Sequence, residues 1–469
     1  MLLQLSDRSR KLFLVLLLLL ATVAWPGLNL RSPGSQPEDS PATPLSKSWI
    51  ERIGQIKKQI ASESAGLETL YKFLHAHPEL SFQEEQTATV MAKELTKLGF
   101  DVTRKVGGHG VVAILKNGPG PTILVRTDMD ALPVTETTGL PYASKVRVRD
   151  KEGQEVGVMH ACGHDMHMAC WVGTARVLTS LKDRWQGTLV FVGQPAEEIG
   201  AGGRAMLEDG LYKRFPKPDS CLALHCDSRY PHGQISYTDG LALANVDTMD
   251  ILVKGKGGHG SAPHTTIDPV VLAARIVLDL QTIVSRERDP LDPAVVTVGS
   301  IHGGTKHNII PNDVKLQLTI RTTKDSTRKN VLDAIVRIAK AAAAGARAPE
   351  PVITHHPGEF TPALINDSAL TRRTASVLKE LLGAANVVER PPILGGEDFS
   401  RYALSGDEKI PIFLFFLGTM PPERVAEAAK PGGALLPSLH SAEYYPVLEP
   451  SLRTGVLSMS LSVLNLMGK

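Results

Sequence analysis

Residues 121–133 read PTILVRTDMDALP. A mostly apolar run from Thr122 carries the acids Asp128 and Asp130 at its C-terminal end, and VVAILKN (111–117) just before it reads as an adjacent strand. The same texture returns twice. TLVFV (188–192) stops at GQPAEEIGAGG, and LALH (222–225) ends on a histidine. Apolar strands with charged carboxyl ends, separated by helical stretches, describe an α/β sheet with its site along one edge.

Working outward, Ile53–Leu74 reads as a helix leading into HAHPELSFQE (75–84), and Glu85–Leu98 as a second helix ended by Gly99. From about Asn245 the pattern changes. MDILVKGKGGHGSAPH is a strand and a glycine-rich turn, Asp268–Val284 a helix, AVVTVGSIHGG and VKLQLTIRT two strands, and Asp325–Ala344 a helix. This β-α-β-β-α order fits a small α+β sandwich inserted into the larger domain. The expected division is a first catalytic part over 47–244, an inserted domain over 245–362 and a second catalytic part over 363–469. In that last part, helices are expected near Asp367 and Thr374, a strand at PIFLFFLG and a final helix over Pro450–Leu466.

The 469 residues suffice for two or three domains, each with its own core. With 51 basic against 49 acidic side chains and no long basic run, the charge pattern argues against a nucleic-acid partner. Arg8, Arg10 and Lys11 precede an apolar run from Leu12 to Trp25, the layout of an export signal over 1–28. The run is at the low edge of length for a membrane span, which makes an uncleaved anchor the weaker reading. A Pro- and Ser-rich linker over 29–46 follows, so the protein is expected to be exported, to a periplasm or outside the cell. Four cysteines in an exported chain leave open a Cys221–Cys226 bridge, with Cys162 free for other work.

The densest chemistry is MHACGHDMHM (159–168). Cys162 and His164, one residue apart, suit a turn where both point at one ion, but two ligands are too few. Glu197 and Glu198 follow a strand and diverge, so one can bind metal while the other faces substrate. His225 ends the next strand, and His440 lies in LPSLHSAEYYP. Cys162, His164, Glu198, His225 and His440 make five ligands, enough for two ions sharing one bridge. The competing reading, a Cys162 nucleophile served by His164, leaves Glu197, Glu198 and His440 without roles. A binding protein that had lost the chemistry would lack a ligand or Glu197, and all are present.

These segments resemble the M20 metallopeptidase family, and within it the amidohydrolases of N-acyl amino acids, hippurate and auxin conjugates. HAHPELSFQE, RTDMDALPV, GVMHACGHDMHMA, GQPAEEIGAGG, GKGGHGSAPH, HNIIP, GGEDFSRY and Leu439–His440 run in family order across nearly the whole chain after the linker. The resemblance implies a catalytic domain holding two divalent ions, plus an inserted domain acting as a lid or pairing subunits into a homodimer. It implies that Cys162 bridges the ions and that Glu197 is the general base. Zinc leads by ligand affinity, with manganese, cobalt or nickel as the other ions. Asp130 is expected to orient a ligand histidine. Asp165 is expected to do the same or to cap the following helix, and His167 and Met168 to pack within that helix. Family members often carry alanine where this chain has Thr127, whose hydroxyl could bond in the site.

For the substrate, the resemblance brings His259 to it from the inserted domain, the alternative being a turn histidine in solvent. Asn308 and Arg321 are assigned to a substrate carboxylate, although Arg321 ends a strand and also suits the surface. Gly395 and Gly396 are expected to shape the wall of an acyl pocket. The implied reaction is hydrolysis of small N-acyl amino acids bearing a free carboxylate. A carboxypeptidase or dipeptidase acting on short peptides is the near alternative, toward which export adds weight.

Overall fold

The computed structural model describes residues 47–149, 153–405 and 408–468. The export signal and linker read from the sequence lie outside the described residues. No described helix is long and apolar enough to cross a membrane.

The chain begins with helices α1 (Lys47–Ala76) and α2 (Glu85–Lys97), then strands β1 (Asp101–Val106), β2 (Gly110–Asn117) and β3 (Thr122–Asp128). Helix α3 (His164–Ser180) leads to β4 (Gly187–Gln194), and β5 (Ser220–Pro231) is followed by the short β6 (Ile235–Tyr237). The insertion contributes β7 (Asn245–Lys254), α4 (Pro269–Arg286), β8 (Ala294–His302), β9 (Asp313–Thr322), α5 (Asp325–Gly345) and β10 (Val352–His355). The chain returns through α6 (Ser368–Leu382), β11 (Val387–Glu389), β12 (Ile412–Met420) and α7 (Leu448–Met467). Helix α6 is one helix where two were expected. Asp367 caps it by accepting from Leu370 N at 2.8 Å, and Thr374 is buried inside it.

The main sheet has eight strands in the order β1-β2-β4-β3-β5-β12-β6-β11. Its middle strands β4, β3, β5 and β12 run parallel. Both faces are covered, which is why these strands read as unbroken apolar runs. On β3, Ile123 and Val125 join the core with α1, α3 and α7, while Leu124 faces the other layer with Met206, Phe399 and Tyr402. Helix α3 is buried nearly all round, so its sequence has no polar face. The same pleat excludes the Cys221–Cys226 bridge. Five residues apart on β5, the two thiols point to opposite faces, and both are free.

In the insertion, β8-β9-β7-β10 form an antiparallel sheet. Strands β7 and β9 alternate buried and half-buried residues. Their inner side chains, Met249, Ile251, Leu316 and Leu318 among them, pack on Leu272, Ile276, Val331 and Ile335 of the two helices. Alternation matches a sheet with one covered face. Helix α4 starts where Asp268 accepts from Val270 N at 2.8 Å, with Pro269 at the first helical position. The inserted domain therefore has a core of its own beside the α/β catalytic domain.

Candidate metal centre

The site gathers beyond the carboxyl ends of β3 and β4 and at the middle of β5. His225, expected to end its strand, is followed by six more strand residues, because β12 continues to pair with β5 past it. His164 opens α3, and its Nδ1 donates to Asp130 O at 2.8 Å. That bond turns Nε2 inward, where it is buried with no hydrogen-bond partner among the described residues. Around it stand Asp128 Oδ2 at 3.7 Å, Glu198 Oε1 at 3.7 Å and Glu197 Oε2 at 3.8 Å. His225 is set the same way: Nδ1 donates to Cys226 O at 2.8 Å, leaving Nε2 3.5 Å from Cys162 Sγ. His440, exposed at the mouth, has its Nε2 3.5 Å from Glu198 Oε2 and is tethered by its own amide to Ala161 O at 2.9 Å.

Two groups of donor atoms, each within 4.8 Å of one another, share Cys162: one with His164 and His225, the other with Glu198 and His440. This is the arrangement expected of two ions with one bridging ligand. The electrostatics agree. Burial pushes the Cys162 thiol up, helped by Glu198, and pushes Glu198 up to about 8. Burial also raises the Glu197 carboxyl, with Glu397 and Glu198 adding like-charge repulsion. Burial opposes ionisation of these acids, and Asp128 raises the His164 imidazole against its own burial, so the cluster is short of cationic charge. With His164 Nε2 and Glu198 Oε1 both unpartnered among the described residues, it fits divalent cations.

The supporting residues differ in part from expectation. Asp130 does more than orient His164. Its carboxylate accepts from Glu197 N at 3.1 Å, Glu198 N at 3.0 Å and Ser81 Oγ at 2.6 Å, so it holds the glutamate turn. His167 is not mere helix packing. Its Nδ1 donates to Asp128 Oδ1 at 2.7 Å and its Nε2 accepts from Cys226 N at 2.7 Å. Both nitrogens are used, so it is neutral and cannot ligate, and burial pulls it down to about 4. Asp165 accepts from Met166 N at 2.8 Å and pairs with His75 Nδ1 at 2.6 Å. Thr127 donates to Asp128 O at 3.1 Å.

One network escaped the sequence reading altogether. Buried Arg126 donates to Gln194 Oε1 at 3.0 Å, Asp128 Oδ2 at 2.8 Å, Glu397 Oε1 at 2.9 Å and Asp398 Oδ1 at 3.3 Å. It ties β3 and β4 to the GGED loop. Its signal was present, an arginine inside an apolar strand and two acids after two glycines, but neither names its partner.

The site opens into a cavity of about 930 Å³. Cys162, Glu197, Glu198, His225 and His440 line one part of it, and Arg321, Gly395 and Gly396 another. Arg321 reaches in from β9 with no hydrogen-bond or ion-pair partner among the described residues, and burial lowers its pKa. The glycines serve packing as well as the wall. A Cβ on Gly396 would lie 2.4 Å from Val246 Cγ2, and Gly395 O accepts from Ala244 N at 2.9 Å, so the loop presses on the start of β7. His259 and Asn308 are not brought to the cavity. Both are exposed on the inserted domain, where Gly260 N bonds Asn308 O at 2.9 Å and Ser261 Oγ bonds His259 Nδ1 at 2.8 Å.

Residues 124–431 match the model of peptidase family M20/M25/M40. The chain belongs to the M20 family. Among its relatives, thermostable carboxypeptidase 2 of Saccharolobus solfataricus is 35% identical, covering 90% of this chain and 100% of the relative. An N-acetylcysteine deacetylase of Bacillus subtilis is 38% identical, covering 74% of this chain and 86% of its own. A dinuclear metal-binding peptidase of the M20 family from Bacillus subtilis superposes with a TM-score of 0.68 at 30% identity, covering 86% of this chain and 98% of that one. With the clustered ligands, M20 membership makes this protein a metal-dependent hydrolase of amide or peptide bonds.

Proposed function

We propose that this M20 enzyme removes the C-terminal amino acid from short peptides, as a metallo-carboxypeptidase. The observation that carries a substrate with a free carboxylate is Arg321, whose guanidinium has no hydrogen-bond or ion-pair partner among the described residues and shares the cavity with the candidate ligands. A free carboxylate is the group that a planar, permanently charged fork binds best. Cys162, His164, Glu198, His225 and His440 would hold two divalent ions, which supply an acidified water and polarise the scissile carbonyl. Glu197 takes the proton of the attacking water and passes it to the leaving nitrogen. The likeness to a carboxypeptidase over nine-tenths of the chain supports the peptide substrate.

A second reading, hydrolysis of N-acyl amino acids, uses the same residues. It is favoured by an apolar stretch of the cavity wall formed by Leu243, Ile393, Leu394, Leu414 and Phe416. Both readings require a free carboxylate on the leaving amino acid. The deciding measurement is hydrolysis of a panel of short peptides, N-acetyl and N-benzoyl amino acids and long-chain N-acyl amino acids, each beside its carboxyl-blocked ester or amide. Metal would be counted on the same sample. Peptide cleavage that disappears with the blocked carboxylate, at about two metals per chain, is the expected result. Preference for acyl amino acids would move the assignment to the second reading. Cleavage indifferent to the carboxylate would remove Arg321 from it.

A further inference from the structure

The segment HAHPELSFQE ends on Glu84, which is fully buried against the turn that presents Glu197 and Glu198. Glu84 Oε1 accepts from Ala196 N at 2.8 Å and from Phe82 N at 2.9 Å. The next two amides along the turn, Glu197 N and Glu198 N, donate to Asp130. Three consecutive amides are thus each held by a buried carboxylate. The turn needs that support. Ala196 sits at φ 51, in the left-handed region that costs a residue with a Cβ on the order of 1–2 kcal/mol. Just beyond it, a Cβ on Gly202 would lie 1.6 Å from Pro195 O, so the chain doubles back on itself with no room for adjustment.

The two oxygens of Glu84 are not equivalent. Oε2 is buried with no hydrogen-bond partner among the described residues, and burial together with Asp130 pushes the carboxyl up to about 7. All its bonds run through Oε1. Glu84 is absent from the cavity lining, so it acts on the chemistry only through the turn.

We propose that Glu84 is a positioning residue for the hydrolysis: by holding the Ala196 amide, it sets where the carboxylates of Glu197 and Glu198 stand. The proposal rests on the roles given above to Glu197 as proton carrier and Glu198 as metal ligand. What the turn requires is an acceptor oxygen at the Oε1 position, which an amide supplies as well as a carboxylate does.

The test compares Glu84→Gln, Glu84→Asp and Glu84→Met in the full chain. It reads kcat and KM on the best substrate of the panel, zinc affinity of the metal-free protein against a chromophoric chelator, and Tm. Glu84→Gln is expected to keep kcat, KM and zinc affinity within about threefold of wild type, because the acceptor stays in place. Glu84→Asp withdraws the acceptor by one methylene and Glu84→Met abolishes it. Both are expected to lose about 30- to 100-fold in kcat with little change in KM, the cost of misplacing a reacting group by ~1 Å. Zinc affinity should fall by ~10-fold alongside. A folded Asp or Met variant with wild-type kcat and zinc affinity overturns the proposal. So does a Gln variant as impaired as Met, which would assign the effect to charge. If Met does not fold, the Asp and Gln variants decide. If the wild type cleaves nothing in the panel, the functional reading fails by itself, and zinc affinity still tests Glu84.

Discussion

Burial raises the pKa of Glu197, and Glu397 and Glu198 beside it add to the shift. A bound cation would hold such a carboxyl ionised, while its burial keeps its basicity high enough to take a proton. Glu197→Gln preserves the shape and removes the basicity. It is expected to lower kcat by about 10³-fold or more, within or beyond the range usual for a general base, while metal content stays at the wild-type value. Equal loss of metal and activity would instead make Glu197 a ligand. At this scale, the five candidate ligands stood out in the sequence as metal-binding side chain types set beside glycines and apolar strands, where structure alone seldom demands them. The role of His167 was not legible there, because its sequence context resembles that of His164. Only the partners of each ring nitrogen separate them: His167 has both occupied, and His164 keeps one free.

Among the elements, α1 is tied to the start of α3 by charge. His75 at the end of α1 bonds Asp165 at 2.6 Å and Glu136 at 3.1 Å, and these carboxylates raise it to about 9 against the desolvation of burial. Because its folded-state pKa lies above the ordinary 6.5, its stabilisation is complete below that value and is lost as pH rises through about 9. His75→Gln should therefore destabilise most near pH 6. The gap from wild type should narrow by roughly 3 kcal/mol on going to pH 9.5, read by urea denaturation. A gap independent of pH would show that His75 is not charged in the fold. The helices were readable from periodicity and caps, as at Asp268 and Asp367. This ion cluster joins residues 61 and 90 positions apart in the chain, and no local pattern announces it.

For the whole molecule, the candidate ligands come from the turn and helix start at Cys162 and His164, the turn after β4, the middle of β5 and a loop near the C-terminus, so binding of metal should stabilise the catalytic domain as a unit. Zinc at 100 times its Kd is expected to add about 2.7 kcal/mol to the metal-free protein, seen as a rise in Tm that a chelator reverses. A Tm indifferent to both would show that the ligand cluster does not bind zinc in the folded state.

The linear chain carried the α/β class, the inserted domain and the candidate metal-binding side chains, the glutamate pair among them. Each is written in short-range patterns: unbroken apolar runs for covered strands, alternation for a one-sided sheet, and metal-binding side chains where turns are expected. What had to wait for the fold was which groups meet. The pleat of β5 separates Cys221 from Cys226, and Arg126 finds Glu397 from 271 positions away. His259 stays on the outside of the inserted domain. Contact between distant residues depends on how strands are ordered and how domains are hung on them, and that information lies in the packing of the whole chain rather than in any stretch of it.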